Sequence, residues 1–122
     1  MQIREAAENY LETIYILSGR LEKVRSIDIV NELNYSKPTI SVMMKQFREN
    51  GYINMDNDGY ITLTDKGLEI AQKMYERHEI IASFFISLGV DETVAYTDSC
   101  KIEHDISDES FNAMKEFYLK NK

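Results

Sequence analysis

Residues 26–63 read SIDIVNELNYSKPTISVMMKQFRENGYINMDNDGYITL, and this run decides the fold. It opens with Ile27, Ile29, Val30 and Leu33 at helical spacing, and the Ser26 hydroxyl is able to cap their start. After the Asn34-Tyr35 turn, Ser36 is a natural N-cap for a second helix. Pro38 falls in its first turn, where the missing N–H costs nothing and the fixed φ suits a helix. Ile40, Met43, Met44 and Phe47 give this helix an apolar side, and Asn50-Gly51 ends it. Two short helices meeting at a tight turn form a helix-turn-helix. Tyr52–Met55 and Tyr60–Leu63 then alternate at period two around Asp56-Asn57-Asp58-Gly59, and Asp-Gly favours a tight hairpin turn. A two-stranded hairpin is marginal alone, so it should pack on the preceding helices and project its tip as a wing.

The flanks read helical as well. Tyr10, Leu11, Ile14, Tyr15 and Leu17 lie at helix spacing between Glu5 and Gly19, with Gly19 as the stop. Thr64 or Asp65 can cap a long helix reaching Leu88, with Ile70, Met74, Ile80, Ile81, Phe84 and Phe85 buried and Gly89 closing it. Residues 91–103 and 107–119 are two further helices, the second apolar at Phe111, Met114, Phe117 and Tyr118. The chain is therefore mainly α, a winged helix-turn-helix followed by helices only. No internal repeat and no Pro- or Ser-rich linker interrupts it.

A length of 122 residues with 43% apolar content suits one compact unit or two small ones. The single cysteine, Cys100, excludes an internal disulfide framework and fits a reducing cytoplasm. No segment reaches the roughly 18 apolar residues of a membrane span, and residues 1–8 are not signal-like, so a cytoplasmic protein with no membrane partner is expected. A net charge of −7 argues against indiscriminate coating of nucleic acid. Residues 36–50 differ, with Lys37, Lys45 and Arg48 against Glu49 alone. Ser36, Lys37, Pro38, Thr39, Ser41 and Lys45 place short polar groups and two lysines in the N-terminal half of the second of the two helices, which suits a DNA major groove. Arg25 could reach a flanking phosphate. The competing reading makes Ser36 and Thr39 caps and the lysines a solvated face.

A second motif is Cys100-Lys101-Ile102-Glu103-His104. Residues i, i+3 and i+4 of a helix share a face, so Cys100, Glu103 and His104 could offer a thiolate, a carboxylate and an imidazole to one divalent cation. Asn9 and Glu12, three apart in the first helix, and His78 in the long one add further candidate ligands. One thiolate in such a set favours Fe(II), Co(II), Ni(II) or Zn(II) over Mg(II) or Ca(II). A lone Cys or His is more often a packed side chain than a ligand, and it is the grouping that carries weight.

Several runs together resemble the iron- and manganese-dependent repressors of the diphtheria toxin repressor type. They are residues 8–15 (ENYLETIY), 24–29 (VRSIDI), 36–41 (SKPTIS), 61–67 (ITLTDKG), Arg77-His78 and 100–107 (CKIEHDIS). The resemblance implies a winged DNA-binding domain over residues 1–72 and a helical metal-binding and dimerisation domain over 73–122. It implies Cys100, Glu103 and His104 as the iron-type primary ligands, with Glu12 and His78 at positions of the manganese-type binuclear site. Asn9 departs from both branches, which have Met or Asp there. Ala82 and Tyr96 stand where the iron branch has Glu and His in an ancillary site, so one principal site per chain is expected. The chain ends where longer members add an SH3-like domain.

The function so implied is a homodimeric, metal-dependent regulator of transcription, a repressor of operator DNA in iron or manganese homeostasis, with Fe(II) favoured over Mn(II) as corepressor. Zn, Co or Ni could substitute in vitro. A dimer face of Ile80, Phe84, Phe85 and the last two helices is expected. Two rivals come from other classes. A zinc hydrolase would need an open coordination position beside a pocket, which no loop or sheet here suggests, so no enzyme is expected. A metal-independent winged-helix module binding DNA or protein is the other.

Overall fold

The computed structural model describes residues 1–122 as six helices and one hairpin. In chain order these are α1 (Glu5–Arg20), α2 (Ser26–Leu33), α3 (Lys37–Glu49), β1 (Ile53–Met55), β2 (Ile61–Leu63), α4 (Asp65–Ser87), α5 (Glu92–Ile102) and α6 (Asp108–Lys120). The mainly helical winged fold expected from residues 26–63 is the fold observed. The chain divides into two compact units, Met1–Gln72 and Lys73–Lys122.

In the first unit, one apolar stripe from each element meets in a single core. Ile40, Met44 and Phe47 recur at helical spacing on α3 and are almost wholly buried, beside Leu11 and Ile14 of α1, Ile29 of α2 and Ile53 and Ile61 of the hairpin. The Phe47 ring is the hub, edge-on to Tyr10 at 6.3 Å and to Tyr52 at 6.1 Å. Burying a side chain of that size contributes about 1.5–3 kcal/mol. It also fixes which face α3 turns outward, so residues 36–39, Ser41 and Lys45 are all exposed.

Local chemistry sets the ends of these helices. Ser36 caps α3 as its type predicts, its Oγ accepting the Thr39 N–H at 3.3 Å, and Pro38 is the second helical residue. At α2 the expectation of a Ser26 cap is corrected: Arg25 is the N-cap and Ser26 is already helical. The Asp28 carboxylate accepts the Arg25 N–H at 2.8 Å, an anionic partner at the positive end of the helix that the serine hydroxyl cannot match. Val24, just upstream, is held extended by the wing, because the Ile61 N–H donates to its carbonyl at 2.7 Å.

The wing strands pair antiparallel, Ile53 with Leu63, Asn54 with Thr62 and Met55 with Ile61. Their link is longer than a two-residue turn. The Gly59 N–H donates to the Asp56 carbonyl at 3.1 Å, the Asp56 N–H donates to the Tyr60 carbonyl at 3.1 Å, and Gly59 takes φ +81°. That is a three-residue loop with its glycine in the left-handed region. Asp56 Oδ1 accepts the N–H groups of Asp58 and Tyr60, each at 2.9 Å, which stiffens the tip. Behind the hairpin, Thr64 caps α4 by accepting the Gly67 N–H at 3.2 Å. Gly67 allows this approach, since a Cβ there would stand 2.1 Å from the Tyr52 carbonyl oxygen.

The second unit consists of the C-terminal part of α4 with α5 and α6, and its buried apolar side chains include Met74, Ile81, Ala82, Ala95 and Phe111. α4 ends at Gly89, φ +98°, with the Val90 N–H returning to the Phe85 carbonyl at 3.1 Å. Asp91 caps α5 and Ser107 caps α6 through their side-chain oxygens. α5 stops at Ile102, one residue short of the expected end, so of the Cys100, Glu103 and His104 trio only Cys100 is in the helix. Glu103 is its C-cap, and 103–105 form a turn. No helix is long and apolar enough to cross a membrane.

Candidate functional site

The helix end at Ile102 and the passing of α4 bring four of the six candidate ligands together within the second unit. His78 Nδ1 lies 2.8 Å from Glu103 Oε2 and 3.7 Å from Cys100 Sγ. The other carboxylate oxygen of Glu103, Oε1, lies 3.2 Å from His104 Nε2. Glu103 is 1% exposed, so its carboxylate is bracketed inside the protein by two imidazoles. Glu103 continues the helical path of α5, with αR dihedrals and its N–H on the Ser99 carbonyl at 3.0 Å, so Cys100 and Glu103 keep the i, i+3 relation expected from the sequence, and α4 supplies His78 opposite them.

The electrostatics of this cluster favour a cation. The thiol of Cys100 first and the carboxylate of Glu103 second push His78 up from its ordinary value to about 10, while burial works in the opposite direction. A group of acceptors with that effect on a half-buried ring is a well for positive charge. The donor set of imidazole nitrogens, a carboxylate and one thiol is also that of a divalent transition-metal site. The residues present therefore fit such an ion. His78, Cys100, Glu103 and His104 could hold it, leaving the Cys100 thiol at an exposed edge.

The remaining two candidates sit on α1 in the first unit. Glu12 is buried and Asn9 is half-buried, the Asn9 backbone carbonyl accepting the Thr13 hydroxyl at 2.8 Å. Ala82 is fully buried, and Tyr96 turns its hydroxyl to Glu79 at 3.1 Å, its ring 5.4 Å from that of His78. An alanine and an occupied phenol offer no ligands for a second, ancillary site.

The candidate nucleic-acid face is the exposed side of α3 with the root of the wing. Lys37, Thr39, Ser41 and Lys45 are exposed there, though Ser36 and Thr39 also bond each other through their hydroxyls at 2.7 Å, so capping is part of their role. Lys45 lies 3.9 Å from Glu49, a solvated pair of little strength. Arg25 has a more definite setting. Its guanidinium lies 4.4 Å from the centre of the Tyr60 ring, and the Lys23 ammonium lies at the same distance from that ring. Lys23 and Tyr60 carry no signal in the sequence, because the contact depends on the Val24–Ile61 bridge that draws the two segments together. Ser99 carries no such signal either. Ser99 Oγ donates to the His78 carbonyl at 2.6 Å.

Comparison with known proteins agrees with both halves of this description. Residues 2–63 match the iron dependent repressor N-terminal DNA binding domain, and residues 64–121 match the iron dependent repressor metal binding and dimerisation domain. An HTH-type transcriptional regulator of Methanocaldococcus jannaschii is 34% identical over 97% of this chain and 96% of its own length. The transcriptional regulator MntR of Escherichia coli O6:H1 is 33% identical over 97% of this chain and 76% of its own. The solved structure of the manganese regulator SloR superposes with a TM-score of 0.79 at 28% identity, covering all of this chain, which spans 56% of that one.

Proposed function

This chain belongs to the iron-dependent repressor family of metal-dependent transcriptional regulators, and on that premise we propose that it is a homodimeric repressor of operator DNA with Fe(II) or Mn(II) as its corepressor, Fe(II) being favoured. The observation that carries the proposal is the convergence of Cys100 Sγ and Glu103 Oε2 on His78 Nδ1, with His104 on the far carboxylate oxygen. On this reading residues 1–72 are the DNA-binding domain and 73–122 the metal-binding and dimerisation domain. Asn9 and Glu12 complete the ligand set from α1, as the family resemblance implies. The burial of Glu12, uncommon for a glutamate, supports its inclusion.

The preference for iron rests on sulfur. Mn(II) stands lowest in the usual order of divalent affinities and is selected by sites rich in oxygen, whereas a thiolate favours Fe(II) and the later metals. Relatives named as manganese regulators share the fold, so the fold does not carry the preference, and on this reading it rests on the chemistry of Cys100. A single thiol near a metal also needs a reducing compartment, which supports the cytoplasm as the site of action.

The bound cation supplies a positive charge that satisfies several donors at once. The chain's own residues do the rest. Glu12 and Asn9 belong to the unit that carries α3, and His78, Cys100, Glu103 and His104 belong to the other. Metal occupancy and DNA binding are thereby coupled, and linkage requires that DNA tighten metal binding by the same factor by which metal tightens DNA binding. In the DNA-bound dimer α3 lies in the major groove with Ser36, Lys37, Pro38, Thr39, Ser41 and Lys45 facing it, and Arg25 meets a flanking phosphate. Pairing uses the apolar side of α4 and α6, where Phe84 stacks edge-on with Phe85 and Phe117, and Phe117 stays 58% exposed in the single chain.

Duplexes selected by this protein from a random pool in the presence of Fe(II) or Mn(II) provide the test. After chelation, their fluorescence anisotropy titration should weaken at least fivefold to a hundredfold, matching a coupling of about 1–3 kcal/mol. Equal binding with and without metal would overturn the corepressor reading.

A further inference from the structure

Arg77 immediately precedes His78 on α4 and is 4% exposed. Its guanidinium donates through Nη1 to the Glu103 carbonyl at 3.0 Å and to the Ile106 carbonyl at 2.6 Å, and through Nη2 it pairs with Asp108. Its charged head rests over the Phe111 ring, 5.3 Å from the centre. The two carbonyls bracket the turn that carries Glu103 and His104. Beyond Arg77, that turn is tied by the Glu103 N–H to the Ser99 carbonyl and by the Asp105 and Ile106 N–H groups to the Ile102 carbonyl. All three of those bonds lead back to α5. From α4, Arg77 holds the backbone of the turn, whereas His78 meets the Glu103 side chain.

We propose that Arg77 is the positioning residue of the metal cluster: by gripping the backbone carbonyls of Glu103 and Ile106 it sets the distance between His78 on α4 and the Glu103 and His104 side chains on the turn. This inference deepens the metal-binding reading above and rests on it. Asp108 does not explain the burial of Arg77. Its carboxylate is 68% exposed on the side-chain scale and shared with Lys73 at 3.2 Å, so it is a solvated counter-charge. The carbonyls are what require a guanidinium, since a planar fork of donors can serve two backbone oxygens and a carboxylate together and an ammonium cannot hold that geometry. Partners that orient ligands in this way are worth roughly 10- to 100-fold in metal affinity.

Co(II) is the probe, because its visible absorption reports coordination geometry and its near-ultraviolet band reports the Cys100 thiolate directly. The whole chain, Arg77→Met, Arg77→Lys and Asp108→Asn are titrated with Co(II), with circular dichroism and urea unfolding of each metal-free protein as the measure of folding. Arg77→Met should bind Co(II) about 10- to 100-fold more weakly and with an altered visible spectrum at saturation. Arg77→Lys should recover part of the loss, and Asp108→Asn should bind within about threefold of the parent, because the carbonyl bonds survive it. A folded Arg77→Met with the parent's affinity and spectrum overturns the proposal. If Arg77→Met does not fold, a folded Arg77→Lys indistinguishable from the parent overturns it equally. An Asp108→Asn loss as large as that of Arg77→Met would assign the effect to the ion pair and also overturn it. Failure of the parent chain to bind Co(II) with a thiolate band would instead refute the metal reading on which it stands.

Discussion

Replacing Glu103 by glutamine keeps the shape of the most deeply buried candidate ligand and removes its charge. In the native chain Oε2 meets His78 Nδ1 at 2.8 Å and Oε1 meets His104 Nε2 at 3.2 Å. Charge-assisted bonds contribute about 1.5–3 kcal/mol each and neutral ones about 0.5–1.5, so the metal-free variant should lose roughly 2–3 kcal/mol over the two contacts. The effect on the metal is separate. Apparent binding energies of about 10–16 kcal/mol spread over the six proposed ligands give roughly 1.7–2.7 kcal/mol for each, or about 20- to 100-fold in affinity. Glu103→Gln should therefore remain folded by circular dichroism while calorimetric titration with Fe(II) or Co(II), run anaerobically, shifts by about one to two orders of magnitude. The metal concentration needed for half-maximal DNA binding should move in parallel. A variant that takes up either ion within threefold of the parent would show that the buried carboxylate is a structural partner of two histidines and not a ligand.

Further outcomes follow from the same geometry. Lys23→Ala and Arg25→Ala should each flatten the dependence of log affinity for duplex DNA on log salt by about 0.9, one phosphate contact apiece, and unchanged slopes would remove the wing root from the DNA face. Tyr60→Leu, which keeps both charges and removes the ring 4.4 Å beneath them, should weaken binding with little change of slope. Gly67→Ala drives a Cβ against the Tyr52 carbonyl and should cost about 1–3 kcal/mol, read as a lower urea midpoint with the slope unchanged. Asp108 is held below its ordinary pKa by Lys73 first and Arg77 second. The stability it adds is present above about pH 4 and lost as pH falls through its lowered value, so Asp108→Asn should lower stability slightly at neutral pH and remove part of the acid-limb dependence of unfolding. Phe117→Glu, on an exposed ring of α6, should yield folded monomers in sedimentation runs where the parent sediments as a dimer.

Much of the first unit was legible because its signals are local. Ser36 as a cap, Pro38 in the first turn, the apolar stripe through Phe47 and the period-two strands each depend on neighbours a few residues away. The misreading there was a local contest that a distant partner decided. Ser26 lost the cap of α2 to Arg25 because the wing holds Val24 extended and the Asp28 carboxylate takes the Arg25 N–H. The tight hairpin turn expected at Asp56–Gly59 is there, as a three-residue loop whose tip Asp56 holds by accepting two N–H groups.

The candidate metal cluster divides in the same way. Residue types and spacing alone singled out Cys100, Glu103 and His104, since a thiol, a carboxylate and an imidazole so close together are rarely needed for packing. The sequence by itself also determined the class, the winged helix-turn-helix and the family. Only the tertiary structure decided that α5 ends within the trio and that His78 stands opposite it, 2.8 Å from Glu103. It alone decided that Arg77 grips the carbonyls of Glu103 and Ile106, and that Lys23 and Arg25 share the Tyr60 ring. The physical reason is that caps and periodicities are written in side-chain identity over a few residues. A bond to a backbone carbonyl 26 or 29 positions away leaves no mark on the accepting residue's type, because every residue offers the same oxygen.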